Sequence, residues 1–169
     1  MTNSTFIRLL RHLSQPRWRA RLAFPRAVMA RIAEAVRQSE RGHAGEIRFV
    51  VEAALDFPPL LRGVTARGRA VNVFSGLRVW DTEANNGVLI YLLLADRDVE
   101  IVADRGFNTR VSGAEWEAIC REMEACFARG DFEAGALAGI ARVDALLRRH
   151  FPLAGGNANE LPDAPALLD

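Results

Sequence analysis

The sequence predicts an α/β fold, a three-layer α/β/α sandwich around a small mixed sheet, and three observations support this. Val88 to Ala95 is apolar at every position, as a central strand covered on both faces must be. Glu46 to Glu52 alternates Ile47, Phe49 and Val51 with Arg48 and Glu52, which marks another strand. The stretches between and beyond them carry apolar residues at helical spacing, so helices supply the covers. A chain of 169 residues, 50% hydrophobic and 25% charged with a net charge of +1, suits one globular domain. The same figures exclude a coiled-coil rod, a collagen-like repeat and a wholly disordered chain.

Residues 1–24 read as a basic amphipathic arm. Phe6, Ile7, Leu10, Leu13, Trp18 and Leu22 are interleaved with arginines, and Pro16 prevents one continuous helix. All 22 basic residues of the chain are arginine; seven lie within residues 1–33, which hold no acid, so the remainder is net acidic. Such an arm either touches a membrane surface or membrane protein, or packs on its own domain.

The domain proper is expected over residues 25–151. Pro25 suits the first turn of a helix running to Arg41, with Val28, Ile32, Ala35 and Ser39 on one stripe and Gly42 at its end. After the strand at Glu46 to Glu52, a loop holding Pro58 and Pro59 leads to a helix over Thr65 to Val79. Gly68 and Gly76 cost that helix about 1 kcal/mol each relative to alanine, so it depends on packing. The apolar strand follows, and Asp96-Arg97 turns the chain into an antiparallel strand at Val99 to Ala103.

Ser112 and Glu115 form a capping box for a helix that buries Trp116, Ile119, Cys120, Met123 and Phe127. Asp131 is expected to cap the last helix, striped by Ala136, Ile140, Val143 and Leu147 and stopped by Pro152. The order is helix-strand-helix-strand-strand-helix-helix, the first two strands parallel through a right-handed crossover. Residues 152–169, rich in Gly, Asn, Pro and acid, are expected to be a disordered acidic tail.

Several chemistries are excluded or disfavoured. Cys120 and Cys126 lie about 240° apart on one helix and cannot bridge. The three histidines are scattered, which disfavours zinc. The longest apolar run, Val88 to Ala95, is too short to span a bilayer. No P-loop, G-x-G-x-x-G or G-x-S-x-G pattern occurs. No nucleic-acid partner is expected, because the domain carries no recognition motif. Without a secretory h-region the chain is expected to be cytoplasmic, at most peripheral to the inner membrane.

What remains is a convergence set by topology. Two parallel strands begin, and the antiparallel one ends, at the same rim of the sheet. This gathers Glu46, then Asp81, Glu83, Asn85 and Asn86, then Asp104, Arg105 and Asn108. An all-oxygen set suits Ca²⁺ or Mg²⁺ rather than zinc or copper. Gly87 and Gly106 are expected to let backbone approach a ligand. The opposite rim, with Glu52, Asp56, Asp96, Arg97 and Asp98, lies at the carboxyl ends of the parallel strands, where open α/β sheets commonly bind ligands.

Gly45-Glu46-Ile47-Arg48, Val79-Trp80-Asp81-Thr82-Glu83 through Asn86-Gly87-Val88-Leu89-Ile90, and Asp98 through Gly106 together resemble the TPM domain, as does Phe127 to Gly135. The resemblance covers residues 25–151 and is most specific where the Asn-Gly-Val-Leu strand is coupled to the Asp-x-Gly loop one hairpin later. It implies a three-layer α/β fold, divalent-cation binding in some members and a phosphatase activity proposed for plant relatives; the chain resembles the short bacterial type, with no signal peptide expected. The expectation is therefore a cation-binding interaction module with Glu46, Asp81, Glu83, Asn86 and Asp104 as metal ligands. The alternative is a metal-dependent phosphomonoesterase in which Arg105 counters phosphate charge.

Overall fold

The computed structural model describes residues 3–153 and 159–168. The arm is two helices, α1 (Asn3–Ser14) and α2 (Trp18–Ala23), broken at Pro16 as the ring demands. Then come α3 (Arg26–Glu40), strand β1 (Glu46–Glu52), the short α4 (Phe57–Leu61) within the expected proline loop, and α5 (Ala66–Gly76). Strands β2 (Gly87–Leu93) and β3 (Asp98–Ala103) form the hairpin, followed by a 3₁₀ turn at Arg105–Phe107 and helices α6 (Gly113–Ala128) and α7 (Phe132–His150).

With a short last strand, β4 (Ala166–Leu168), the sheet order is β3-β2-β1-β4. β1 runs parallel to β2 from Glu46 opposite Gly87 to Glu52 opposite Leu93. β2 and β3 are antiparallel from Val88 opposite Ala103 to Leu93 opposite Asp98. Alternate residues of each strand face opposite ways. Ile47, Phe49, Val51, Val88, Ile90 and Leu92 join the core with α3, α6 and α7. Val50, Leu89, Tyr91 and Leu93 join Ala66, Ala70 and Val73 of α5. Every residue of β2 is buried, as its unbroken apolar run requires.

Three expectations are corrected. The expected disordered tail contributes β4 (Ala166–Leu168), parallel to β1 with Val50 opposite Ala166. Leu161 is buried against the α5 face, so these few apolar residues close what would otherwise be the open edge of β1; positions 154–158 and 169 lie outside the described residues. Asp131 does stand before α7, but its carboxylate takes Arg129 at 3.3 Å instead of capping an amide. Gly87 and Gly106 make room for backbone. A Cβ on Gly87 would lie 1.9 Å from the Val79 carbonyl oxygen, and one on Gly106 would lie 2.4 Å from that of Asn85.

The capping box at Ser112 and Glu115 forms in both directions. The arm packs on the domain through polar contacts. Arg8 grips Asp96 with Nε and Nη2 and donates to the Val64 carbonyl, while buried His12 contacts Asp96 through Nε2 at 3.0 Å. His12 Nδ1 accepts the Leu55 amide, so Nε2 carries the proton that Asp96 accepts. No helix among the described residues is long and apolar enough to cross a membrane.

Candidate functional site

The amino ends of β1 and β2 and the carboxyl end of β3 meet at one rim, stitched together by main chain. The Asp104 amide donates to the Gly87 carbonyl at 2.9 Å, Gly106 to Asn85 at 3.0 Å and Glu46 to Asn86 at 3.4 Å. Space freed at Gly87 and Gly106 is what allows these segments to approach so closely.

Asn86 is fully buried. Its amide donates to Thr82 Oγ1 at 3.1 Å and its side-chain Nδ2 to the Ala44 carbonyl at 2.8 Å, which fixes the orientation of the carboxamide and turns Oδ1 inward. Asp104, also buried, accepts the Arg105 amide on Oδ1 at 2.7 Å, capping the 3₁₀ turn. Two buried oxygens, Asn86 Oδ1 and Asp104 Oδ2, are left with no hydrogen-bond donor among the described residues. Such an oxygen forfeits its hydration without replacement, about 1 to 3 kcal/mol each.

The other expected ligands are placed differently. Glu46 is buried, but its carboxylate accepts the amides of Glu160 and Leu161 at 3.3 and 3.2 Å. Asp81 and Glu83 are exposed on the loop before β2, and the Glu83 amide donates to the Glu160 carboxylate at 3.0 Å. Arg105 is exposed, its Nε donating to Asn85 Oδ1 at 2.7 Å. The structure thus brings Glu46, Asn86 and Asp104 into one buried rim and leaves Asp81, Glu83 and Arg105 at its margin. Among the described residues no group of three or more His, Cys, Asp or Glu side chains is arranged to hold a metal ion.

Sequence reasoning missed Glu40, Thr82 and Glu160. Glu40, buried in the last turn of α3, accepts the Ile47 amide at 3.0 Å. An acid at a helix carboxyl end opposes the macrodipole, and that is the signal which could have found it. Burial pushes the Glu40 carboxyl up to about 8, with the charges of Glu46 and Asp163 adding to the rise. Burial likewise pushes Glu46 up to about 7, although the Glu160 and Leu161 amides oppose it. The rim is therefore acid-rich and short of cations.

A TPM domain family model matches residues 23–146. No curated protein matches the chain. Among solved structures, the NMR structure of BA42 protein from the psychrophilic bacterium Bizionia argentinensis is 29% identical, with a TM-score of 0.72 over 83% of this chain and 92% of that one. The mixed sheet with its Asn-Gly strand and Asp-x-Gly turn, the extent of the family match and the shared fold lead to one conclusion: this chain belongs to the TPM domain family.

Proposed function

We propose that the chain is a divalent-cation-binding interaction module, with the rim holding Ca²⁺ or Mg²⁺. The observation that carries this reading is the pair of buried, donorless oxygens at Asn86 and Asp104. A hard cation satisfies such oxygens, and main-chain carbonyls and water would supply the ion's further coordination. Two side-chain oxygens form a modest set, which agrees with a regulatory ion better than with a permanently bound one.

Titration calorimetry with CaCl₂ and MgCl₂ tests the rim. Wild type is expected to give binding heat, and Asp104→Ala and Asn86→Ala are each expected to weaken affinity at least tenfold while the fold persists by circular dichroism. Absence of heat in the wild type, or equal affinity in Asp104→Ala, refutes the reading. A metal-dependent phosphomonoesterase is the second reading, favoured by Arg105, whose exposed guanidinium bonds Asn85 through Nε and leaves its Nη groups without a partner among the described residues. It requires phosphate release that falls at least a hundredfold in Asp104→Asn.

The module's partner surface is the arm. Phe6, Ile7, Leu10, Leu13, Trp18 and Leu22 are all about half exposed or more, in a segment without a single acid. This combination suits an anionic membrane surface.

A further inference from the structure

At the carboxyl ends of the parallel strands, opposite the acidic rim, the arm does not close onto the domain. A cleft of about 970 Å³ opens between α1, α2, the β2–β3 turn and the junction of α6 with α7. Among the described residues four arginines line it, Arg11, Arg19, Arg97 and Arg129, against one carboxylate, Glu124, which accepts the Val99 amide at 3.0 Å.

The arginines differ in freedom. Arg129 is held by Asp131 and the Ala125 carbonyl, and Arg19 reaches Gln15. The guanidinium groups of Arg11 and Arg97 have no ion-pair or hydrogen-bond partner among the described residues, their main chains being bonded to Ser14 and Leu94 respectively. Arg97 also sits at φ +57°, a left-handed conformation that glycine adopts without strain and arginine does not. A turn that keeps a long cation in a strained position beside a cleft already rich in cations is built to present that cation.

The cleft is not simply polar. Its lining includes Leu92, Phe127 and Phe132, and it shares Leu22 and Phe132 with a groove of about 530 Å³ lined by Pro25, Val28 and Leu137 and also by two carboxylates, Asp131 and Glu133, which are paired with Arg129 and Arg31. A cationic mouth joined to an apolar groove matches a ligand with an anionic head and a hydrocarbon tail. Guanidinium forks favour phosphate oxygens, which accept from several at once.

We propose that this cleft binds a phosphate monoester amphiphile, the head between Arg11 and Arg97 and the chain along Leu22 and Phe132. The site stands apart from the cation rim and shares only Leu22 with the exposed apolar face of the arm. The same chemistry can arrive as a free monomer or as a lipid in a bilayer.

Octyl phosphate below its micellar concentration is the direct probe, titrated into the full chain and followed by calorimetry, with inorganic phosphate as the head-only control. Wild type is expected to bind octyl phosphate at least tenfold more tightly than inorganic phosphate. Arg97→Gly removes the cation and relieves the positive φ, so the variant is expected to lose at least tenfold in affinity with Tm unchanged or raised; Arg11→Gln is expected to lose a similar factor. Vesicles of phosphatidylcholine with phosphatidic acid distinguish the source: vesicle binding weakened by Arg97→Gly identifies a bilayer lipid, and vesicle binding insensitive to Arg97→Gly while octyl phosphate binding is weakened by it identifies a monomer. No octyl phosphate binding, or affinity equal in wild type, Arg97→Gly and Arg11→Gln, overturns the proposal, whatever the outcome for calcium or for vesicle attachment.

Discussion

Tyr91 stands in a run that reads as wholly apolar, yet its hydroxyl donates to Glu52 Oε2 at 2.6 Å across the parallel β1–β2 pair. Arg69 from α5 completes the group with Nε and Nη2 on the same carboxylate at 2.8 and 3.0 Å. Glu52 is buried, so both donors offset the loss of its hydration. Tyr91→Phe should destabilise the fold by about 1 to 2 kcal/mol in urea unfolding, because the ring still packs while one charge-assisted bond disappears. A change below a few tenths of a kcal/mol would mean that Arg69 alone satisfies Glu52. At this scale the sequence reveals residue type and hides partnership. Glu46, Asn86 and Asp104 could be selected as oxygen donors, but the amides of Glu160 and Leu161, which occupy Glu46, lie more than a hundred residues away.

Elements were more legible than side chains, since helical stripes and strand alternation are local. The arm is the instructive case, because amphipathicity announces an apolar face without saying what covers it. Here the inner side docks through Arg8 and His12 on Asp96. That carboxyl is held below its ordinary range: burial works against ionisation, but the bonds from Arg8 and His12 outweigh it. The outer side keeps Phe6, Leu10 and Leu13 exposed. Flotation with anionic liposomes should therefore carry wild type upward at low salt, less at 0.5 M NaCl, and should fail for the triple variant Phe6→Ser, Leu10→Ser, Leu13→Ser. These residues lie outside the core, so Tm should stay within a few degrees. Equal flotation of the variant would show that the apolar face takes no part.

Across the whole molecule, the acidic rim and its C-terminal strap make stability depend on pH. Glu46 takes two strap amides, Arg48 donates to the Pro162 and Ala164 carbonyls, and Arg37 meets Asp163 at 3.1 Å. Glu40 and Glu46, with carboxyls at about 8 and about 7 against an ordinary 4.5, both favour the protonated form in the folded state. Asp98, raised to about 6 chiefly by burial, adds in the same direction. A raised carboxyl contributes stability that is complete below its unfolded value and is lost as pH climbs through the folded one. Unfolding free energy should thus fall from pH 5 to pH 9, by a total on the order of 1 to 3 kcal/mol, and Glu40→Gln should flatten the profile. Denaturant melts at pH 5, 7 and 9 measure this, and stability that rises over the range would contradict the assignment.

The sequence by itself determined the mixed sheet, the parallel β1–β2 pair, the hairpin and the helices that flank them. Each of these follows from periodicity and turn chemistry within a short window. The tertiary structure alone decided that the tail becomes β4, that Asn86 and Asp104 are left with donorless oxygens, and that four arginines from the arm, a turn and a helix end share one cleft. Those outcomes depend on groups far apart in the chain, whose meeting is governed by burial and hydrogen-bond satisfaction in three dimensions and leaves no local pattern to read.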